Sequence, residues 1–194
     1  MKTRVLIVGG GFAGASTAAA LAKCKDYSVT LIEGERVPGV HSSGRNASMA
    51  RRVIGDPILS ELAYMSVEGI RRFEVDDDIE LIAPTGGLLI GQTSDVESLY
   101  NAASQVHGLE RDMRLLKGEE LIQRVNVLQG ATSVTGIATT ECGVVDIHAL
   151  LSHYLQVARR GGVECLTNHR ISDIEVEGDA IKQACINGEW HPVD

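Results

Sequence analysis

An α/β fold built on a parallel sheet is predicted for this chain of 194 residues, on three observations. Residues 5–8, VLIV, form a short continuous apolar run, the mark of a parallel strand buried on both faces. Gly9, Gly11 and Gly14 follow at G-x-G-x-x-G spacing and open a helix of small residues. A second strand pattern, YSVTLIE, then ends in Glu33, about 20 residues past the last glycine. In that order the parts describe a Rossmann-like unit that binds a dinucleotide.

Each part answers a requirement of the ligand. Gly9 permits the tight turn, Gly11 lets the backbone approach the phosphates, and Gly14 lets the helix pack close to the sheet. The helix start, with Phe12 and Ala13 between the last two glycines, offers free N–H groups and a positive dipole end, so no Lys or Arg is needed there. The Glu33 carboxylate accepts from ribose hydroxyls and would repel a 2′-phosphate; Gly34 beside it belongs to the same site. A βα unit that binds nothing is the plain alternative. A signal peptide or membrane span is excluded over residues 5–22, because three consecutive glycines and a run of Ala and Ser lack apolar bulk.

Composition narrows the function. A chain with 44% hydrophobic and 23% charged residues has an ordinary globular make-up. Its net charge of −8 argues against nucleic acid, which needs a clustered basic surface, and weakly against an anionic membrane surface. Cys24, Cys142, Cys165 and Cys185 make no C-x-x-C pair and have no His cluster beside them, so no metal is expected. They read as buried, reduced and inert, which fits the cytoplasm.

Further elements follow in order. Residues 36–48, RVPGVHSSGRNAS, are a loop by their Pro, Gly, Ser and Asn content. Asp56 as cap and Pro57 at the first position start a helix with Leu59, Leu62, Ala63, Ile70 and Phe73 on one face. Asp76, Asp77 and Asp78 read as a solvated turn, and residues 80–92 as two short strands. Ser94 and Glu97 suggest a capping box for a helix carrying Val96, Leu99, Tyr100 and Ala103. A short helix is expected over 119–125 and β structure over 131–145.

Asp146 caps a helix with Ile147, Leu150, Leu151, Tyr154, Leu155 and Ala158 at helical spacing, ended by Gly161 and Gly162. Residues 163–166 are then the third strand of the nucleotide-binding sheet, and residues 171–186 one or two strands of a meander. The excursion of about a hundred residues between the second and third strands is too long for a structureless loop, so it is a second subdomain. The expected organisation is 1–48 with 143–194 as the nucleotide-binding domain, and 49–142 as the inserted subdomain.

Three segments, VLIVGGGFAGASTAAAL, PGVHSSGRNAS and VDIHALLSHYLQVARRGGVECLTNHRI, together resemble the N-terminal half of the D-amino-acid oxidase superfamily of flavoenzymes. Within it the chain resembles the glycine oxidase and D-arginine dehydrogenase-like members. The resemblance implies a glutathione-reductase-type FAD-binding sheet with a partial α+β substrate subdomain inserted in it. It implies FAD rather than NAD, because a S-x-G-R-x-A-like loop in such proteins runs along the flavin and its pyrophosphate. Carried over, Gly9, Gly11 and Gly14 contact the pyrophosphate and Glu33 the adenosine ribose, while Ser42, Ser43, Arg45 and Asn46 line the path toward the flavin ring. Arg45 is either a phosphate or carbonyl partner or a surface arginine, and His41 reads as a loop histidine.

The implied activity is oxidation of a C–N bond in an amine or amino acid by hydride transfer to FAD, with a hydroxy acid as the lesser option. No catalytic residue is assigned. Departures matter here: Met49 and Ile54 stand where D-arginine dehydrogenase has His and Tyr, and Gly87 where it has an acid. A buried guanidinium without an acid partner is costly, so an arginine-like substrate is not implied. Arg51 and Arg52 could hold a substrate carboxylate, or be exposed residues flanking a helix.

Relatives continue with an apolar strand that packs beside the first strand, and with much of the substrate domain. The C-terminal half of the family fold is therefore expected to be absent, through truncation or because a second polypeptide supplies it. A strand edge left open has unpaired N–H and C=O groups, each costing about 1–3 kcal/mol when buried, against a domain stability of about 5–15 kcal/mol. The chain alone is thus expected to hold FAD weakly. A non-catalytic FAD-binding subunit that needs a partner, and an NAD-dependent dehydrogenase, are the alternatives.

Overall fold

A computed structural model describes residues 2–193. In chain order the elements begin with β1 (Thr3–Val8), α1 (Phe12–Leu21), β2 (Tyr27–Glu33), a 3-10 turn at Ser42–Gly44, β3 (Met49–Ala50) and α2 (Pro57–Asp77). Next come β4 (Ile82–Ala83), β5 (Gly87–Gln92), α3 (Thr93–Ala103), β6 (Met113–Lys117), α4 (Gly118–Arg124), β7 (Val134–Thr139) and β8 (Gly143–Val145). The chain closes with α5 (Ile147–Arg160), β9 (Glu164–Thr167), β10 (Ile171–Glu177), β11 (Ala180–Ile186) and β12 (Glu189–Pro192). It divides into two compact units, residues 1–47 with 147–194, and residues 48–146. The second junction lies at 146/147, not 142/143, because β8 pairs with β3 and β4 inside the inserted unit.

The first unit holds a parallel sheet in the order β1-β2-β9, with Val5 opposite Val29 and Leu31 opposite Cys165. The segment at 163–166 is thus the third strand, as its apolar run indicated. Helices α1 and α5 cover one face through Ala15, Ala18, Ala19, Leu151, Leu155 and Ala158. Ala18 and Ala158 have no exposed surface, because alanines let the two helices approach closely. The other face was expected to be buried as well, and only part of it is, with Ile32 at 1% exposure. It opens on a cavity of about 590 Å³ lined by Arg4, Leu6, Thr30 and Glu164, with Ile186 and His191 on the opposite side. Within the described residues β1 pairs only with β2, and Val8 is 56% exposed. Polar residues at the amino ends of these strands fit such a solvated face.

Residues 171–186 form two strands of a meander, β10 and β11, as expected, and β12 adds a third beyond them. Asn187 and Gly188 join the last pair with positive φ at both positions, the two-residue turn that matches strand twist.

In the inserted unit, β5-β7-β6 and β3-β8-β4 form two antiparallel sheets. The two short strands of residues 82–92 therefore belong to different sheets. Val53, Val96, Ala103, Leu109, Met113 and Ile137 make the core. Asp56 caps α2 as expected, its Oδ1 accepting from the Leu59 N–H at 2.9 Å. The buried face of α2 is carried by Ser60, Val67 and Ile70, whereas Leu59 and Leu62 are about half exposed. The helix also runs on through Asp77, with Asp78 as its left-handed cap. The capping box at Ser94 does not form: α3 begins one residue earlier, and Glu97 pairs with Lys117. The two ends of this unit meet, since the Val145 N–H donates to the Ser48 carbonyl at 2.6 Å.

Two carboxylates, one buried and one half-buried, pin loops in this unit. Asp112 Oδ1 accepts from the Thr140 N–H, the Thr140 hydroxyl and the Glu141 N–H, at 2.8, 2.6 and 2.8 Å. Its Oδ2 lies 3.7 Å from Arg52 Nη1. Arg52 is not the exposed flanking residue its position suggested. It is buried at 2% exposure, bonded to Glu68 at 2.6 Å and set over the Tyr64 ring. Glu74 accepts from the Leu81 and Ile82 N–H groups, both at 2.7 Å, and from Arg71 at 2.8 Å. Burial acts to raise the Glu74 carboxyl, but the Arg71 and backbone hydrogen bonds outweigh it and hold the group below its ordinary value.

All four cysteines are free, yet only Cys142 and Cys185 are buried; Cys24 is exposed and Cys165 lies between. Burial pushes the Cys165 thiol up, away from the reactive thiolate.

Two outcomes follow. Asp112→Ala leaves three donors without their acceptor and takes one of two acids from the buried Arg52, so urea unfolding should show a loss of about 3 kcal/mol. Glu74 has a lowered folded pKa, so its contribution is present above the unfolded carboxyl value and is lost as pH falls through the folded one. Glu74→Gln should therefore flatten the acid limb of stability below about pH 4, read by thermal melts across pH.

Candidate functional site

The site lies at the carboxyl ends of β1 and β2. Gly9 turns the chain there with φ +100°, a conformation that side chains disfavour, and nothing stands within 4 Å of where its Cβ would be. A Cβ on Gly14 would overlap the Gly9 carbonyl oxygen. The start of α1 thus presses against the turn, and the absence of a side chain permits it. An open cradle in front of Gly9 is the fit a phosphate needs.

Gly11 is the N-cap of α1 and supplies no side-chain cap. The Phe12 N–H donates instead to Ser43 Oγ at 3.0 Å, across from the loop. The N–H groups of Ala13 and Gly14 belong to the same first turn, which has no carbonyl partners within the helix. Ala13 is exposed, and its carbonyl accepts from Thr17 Oγ1 at 2.7 Å. The Phe12 ring packs on the α1–α5 core.

Glu33 is held on both oxygens. Oε2 accepts from the Gly10 N–H at 2.8 Å and Oε1 from the Glu35 N–H at 2.9 Å. Each oxygen keeps a second lone pair for a ligand hydroxyl. The carboxylate is therefore tied to the glycine turn before any ligand arrives.

The loop at 36–48 folds back on this turn. Ser42, Ser43 and Gly44 form its 3-10 turn, and Asn46 Nδ2 donates to the Ser43 carbonyl at 2.8 Å. Ser43 thus reaches α1, while Asn46 fixes the loop that carries Ser43. Ser42 and Arg45 are exposed, with the Arg45 N–H on the Ser42 carbonyl at 3.3 Å. Glu35 Oε1 accepts from His41 Nε2 and from Arg170 Nη2, each at 3.2 Å. The Arg170 guanidinium rests on Gly34. Sequence reasoning passed over Arg170; its approach to Gly34 spans about 136 positions and has no local signal.

The arrangement can hold a diphosphate against the first turn of α1 and a diol at Glu33. Among the described residues no group of His, Cys, Asp or Glu side chains could hold a metal ion, and no helix is long and apolar enough to cross a membrane.

Comparison with known proteins identifies relatives of the chain. Mitochondrial L-2-hydroxyglutarate dehydrogenase of Pongo abelii is 25% identical over 194 residues, covering 97% of this chain and 45% of that protein. The human protein of that name is also 25% identical, with 97% and 41% covered. The chain therefore spans less than half the length of these curated relatives. Among solved structures, L-proline dehydrogenase from P. horikoshii superposes with a TM-score of 0.83 at 19% identity, over 98% of this chain and 50% of that one. L-Amino acid deaminase from Proteus myxofaciens gives 0.78 at 23%, over 97% and 43%. These likenesses show the fold. The sequence signature described as DAO, FAD dependent oxidoreductase, matches residues 4–190. A match over nearly the whole chain decides membership: this protein belongs to the DAO family of FAD-dependent oxidoreductases.

Proposed function

We propose that the chain forms the flavin-binding portion of an oxidoreductase that oxidises a C–N bond in an amine or amino acid. The observation that carries this reading is the cradle at Gly9, Gly11 and Gly14, with Glu33 already tied to the turn. When bound, FAD supplies the redox chemistry by accepting hydride. The N–H groups of Ala13 and Gly14 would hold the pyrophosphate, with Ser43 beside them on the Phe12 N–H, and Glu33 would hold the ribose. Ser42 and Arg45 would continue the binding path, and Asn46 would hold its loop in shape. Residues 1–47 with 147–194 would serve the cofactor, and residues 48–146 the substrate.

Substrate recognition by this chain falls to Arg51. Arg52 is committed to Glu68 and Asp112, whereas Arg51 is exposed on the neighbouring position. A carboxylate-bearing substrate suits such a residue, and orientation over the flavin can replace a dedicated base. A hydroxy acid is the lesser option, supported by the name of the curated relatives. Four free cysteines favour a reducing compartment such as the cytoplasm.

A second reading rests on the edge of β1. Its outer side has no partner strand among the described residues, and Val8 is exposed there. A further strand, supplied by a second polypeptide, would complete the sheet before flavin is held tightly. The chain would then be a non-catalytic subunit by itself.

FAD should quench on titration into the protein, and NADH should not bind. Glu33→Gln should weaken FAD by roughly tenfold, or about 1.5 kcal/mol, from loss of a charge-assisted bond; equal binding of NADH would sink the flavin assignment. The purified chain alone should lose its flavin on gel filtration. A yellow monomer that keeps FAD through the column would rule out the partner reading.

A further inference from the structure

The carboxyl ends of β2 and β9 lie side by side, with Glu33 opposite Thr167. The segments after them stay together: the His169 N–H donates to the Glu33 carbonyl at 2.9 Å and the Asn168 N–H to the Glu35 carbonyl at 3.0 Å. A dinucleotide bound in a sheet of this kind lies outside the carboxyl ends of the strands. Its adenine, attached to the ribose that Glu33 would hold, would extend from there over the ends of β2 and β9.

Gly34 offers no side chain at that place, and Arg170 fills it. Cζ, Nη2 and Nε of Arg170 stand at 3.3, 3.3 and 3.4 Å from where a Gly34 Cβ would be. Near-equal distances to three atoms of one plane mean that the guanidinium lies face-on to Gly34. Its other face is open, and the side chain is 71% exposed. The group is nonetheless held. Glu35 takes Nη2 at 3.2 Å. The Arg170 N–H donates to Asn187 Oδ1 at 3.0 Å, and its carbonyl accepts from the Asn187 N–H at 3.1 Å. Asn187 Nδ2 in turn donates to the Asn168 carbonyl at 3.0 Å. Exposed ion pairs contribute little to stability, so fold stability alone does not account for a cation fixed flat at this spot.

We propose that Arg170 is a positioning residue for the adenine of the cofactor, its open guanidinium face stacking on the base while Glu35 keeps the plane in register. Planar guanidinium groups stack on bases and aromatic rings, which an ammonium cannot do in the same way. The proposal rests on the flavin reading above.

The test is equilibrium binding of FAD, FMN and ADP to the purified chain by fluorescence and calorimetry. Arg170→Ala should weaken FAD and ADP about tenfold and leave FMN, which lacks adenosine, within twofold. Arg170→Lys should stay weakened. Glu35→Gln, which leaves Arg170 in place but loosens it, should weaken ADP in the same direction by a smaller factor. Unchanged ADP affinity in Arg170→Ala overturns the proposal, as does full recovery with Lys or an equal loss of FMN. Failure of the unaltered chain to bind either FAD or ADP would instead overturn the flavin reading, and this proposal with it.

Discussion

The close approach of α1 to the turn before it is the constraint on which the rest depends. Only a hydrogen at the Gly14 position lets the helix start lie against the Gly9 carbonyl. That contact sets the direction of the helix axis and aims its first N–H groups at the open side of the turn. It also brings Ala15, Ala18 and Ala19 down on the sheet, where α5 meets them through Leu151, Leu155 and Ala158. Packing and anion binding are thus two results of one missing side chain. A bulkier residue there would alter both together.

The polar groups around the turn serve one another in the same economical way. Ser43 caps a helix that has no cap of its own, and Glu33 anchors the glycine turn with one oxygen and the Glu35 N–H with the other. Such a site needs little rearrangement to receive a diphosphate, because the donors and the carboxylate are already ordered. Order before binding lowers the entropic cost of holding a ligand. The inserted unit shows the same device for structure alone, where Asp112 and Glu74 gather backbone donors that would otherwise be stranded.

What was legible in the sequence is what depends on near neighbours. The glycine turn, the acid after β2, the Asp56 cap and the α5 spacing are all local, and the structure has them where residue chemistry puts them. The third strand was legible because a buried run between Gly162 and a polar loop has few other uses. The misses are long-range. Burial of β1 depends on what stands beside it, which an apolar run cannot report. The face of α2 shifted because Ser60 makes two bonds with the Ile54 backbone, a demand invisible in hydropathy. Arg52 was misjudged because its acids, Glu68 and Asp112, come from far along the chain. In the site, Ser43 was expected on the flavin path, but its bond to Phe12 could be seen only after the loop folded back.

The bond between Val145 and Ser48 bears on how the polypeptide reaches this state. Strands β2 and β9 must find each other across about 130 intervening residues, and closing so long a loop as random coil costs about 4 kcal/mol of entropy. The inserted unit is continuous in the chain and antiparallel, so it can assemble first from its own contacts. Once it has, its ends are joined, and the intervening length shrinks to a short staple. Assembly of the parallel sheet then becomes a nearly local event, ordered in time behind the unit nested inside it.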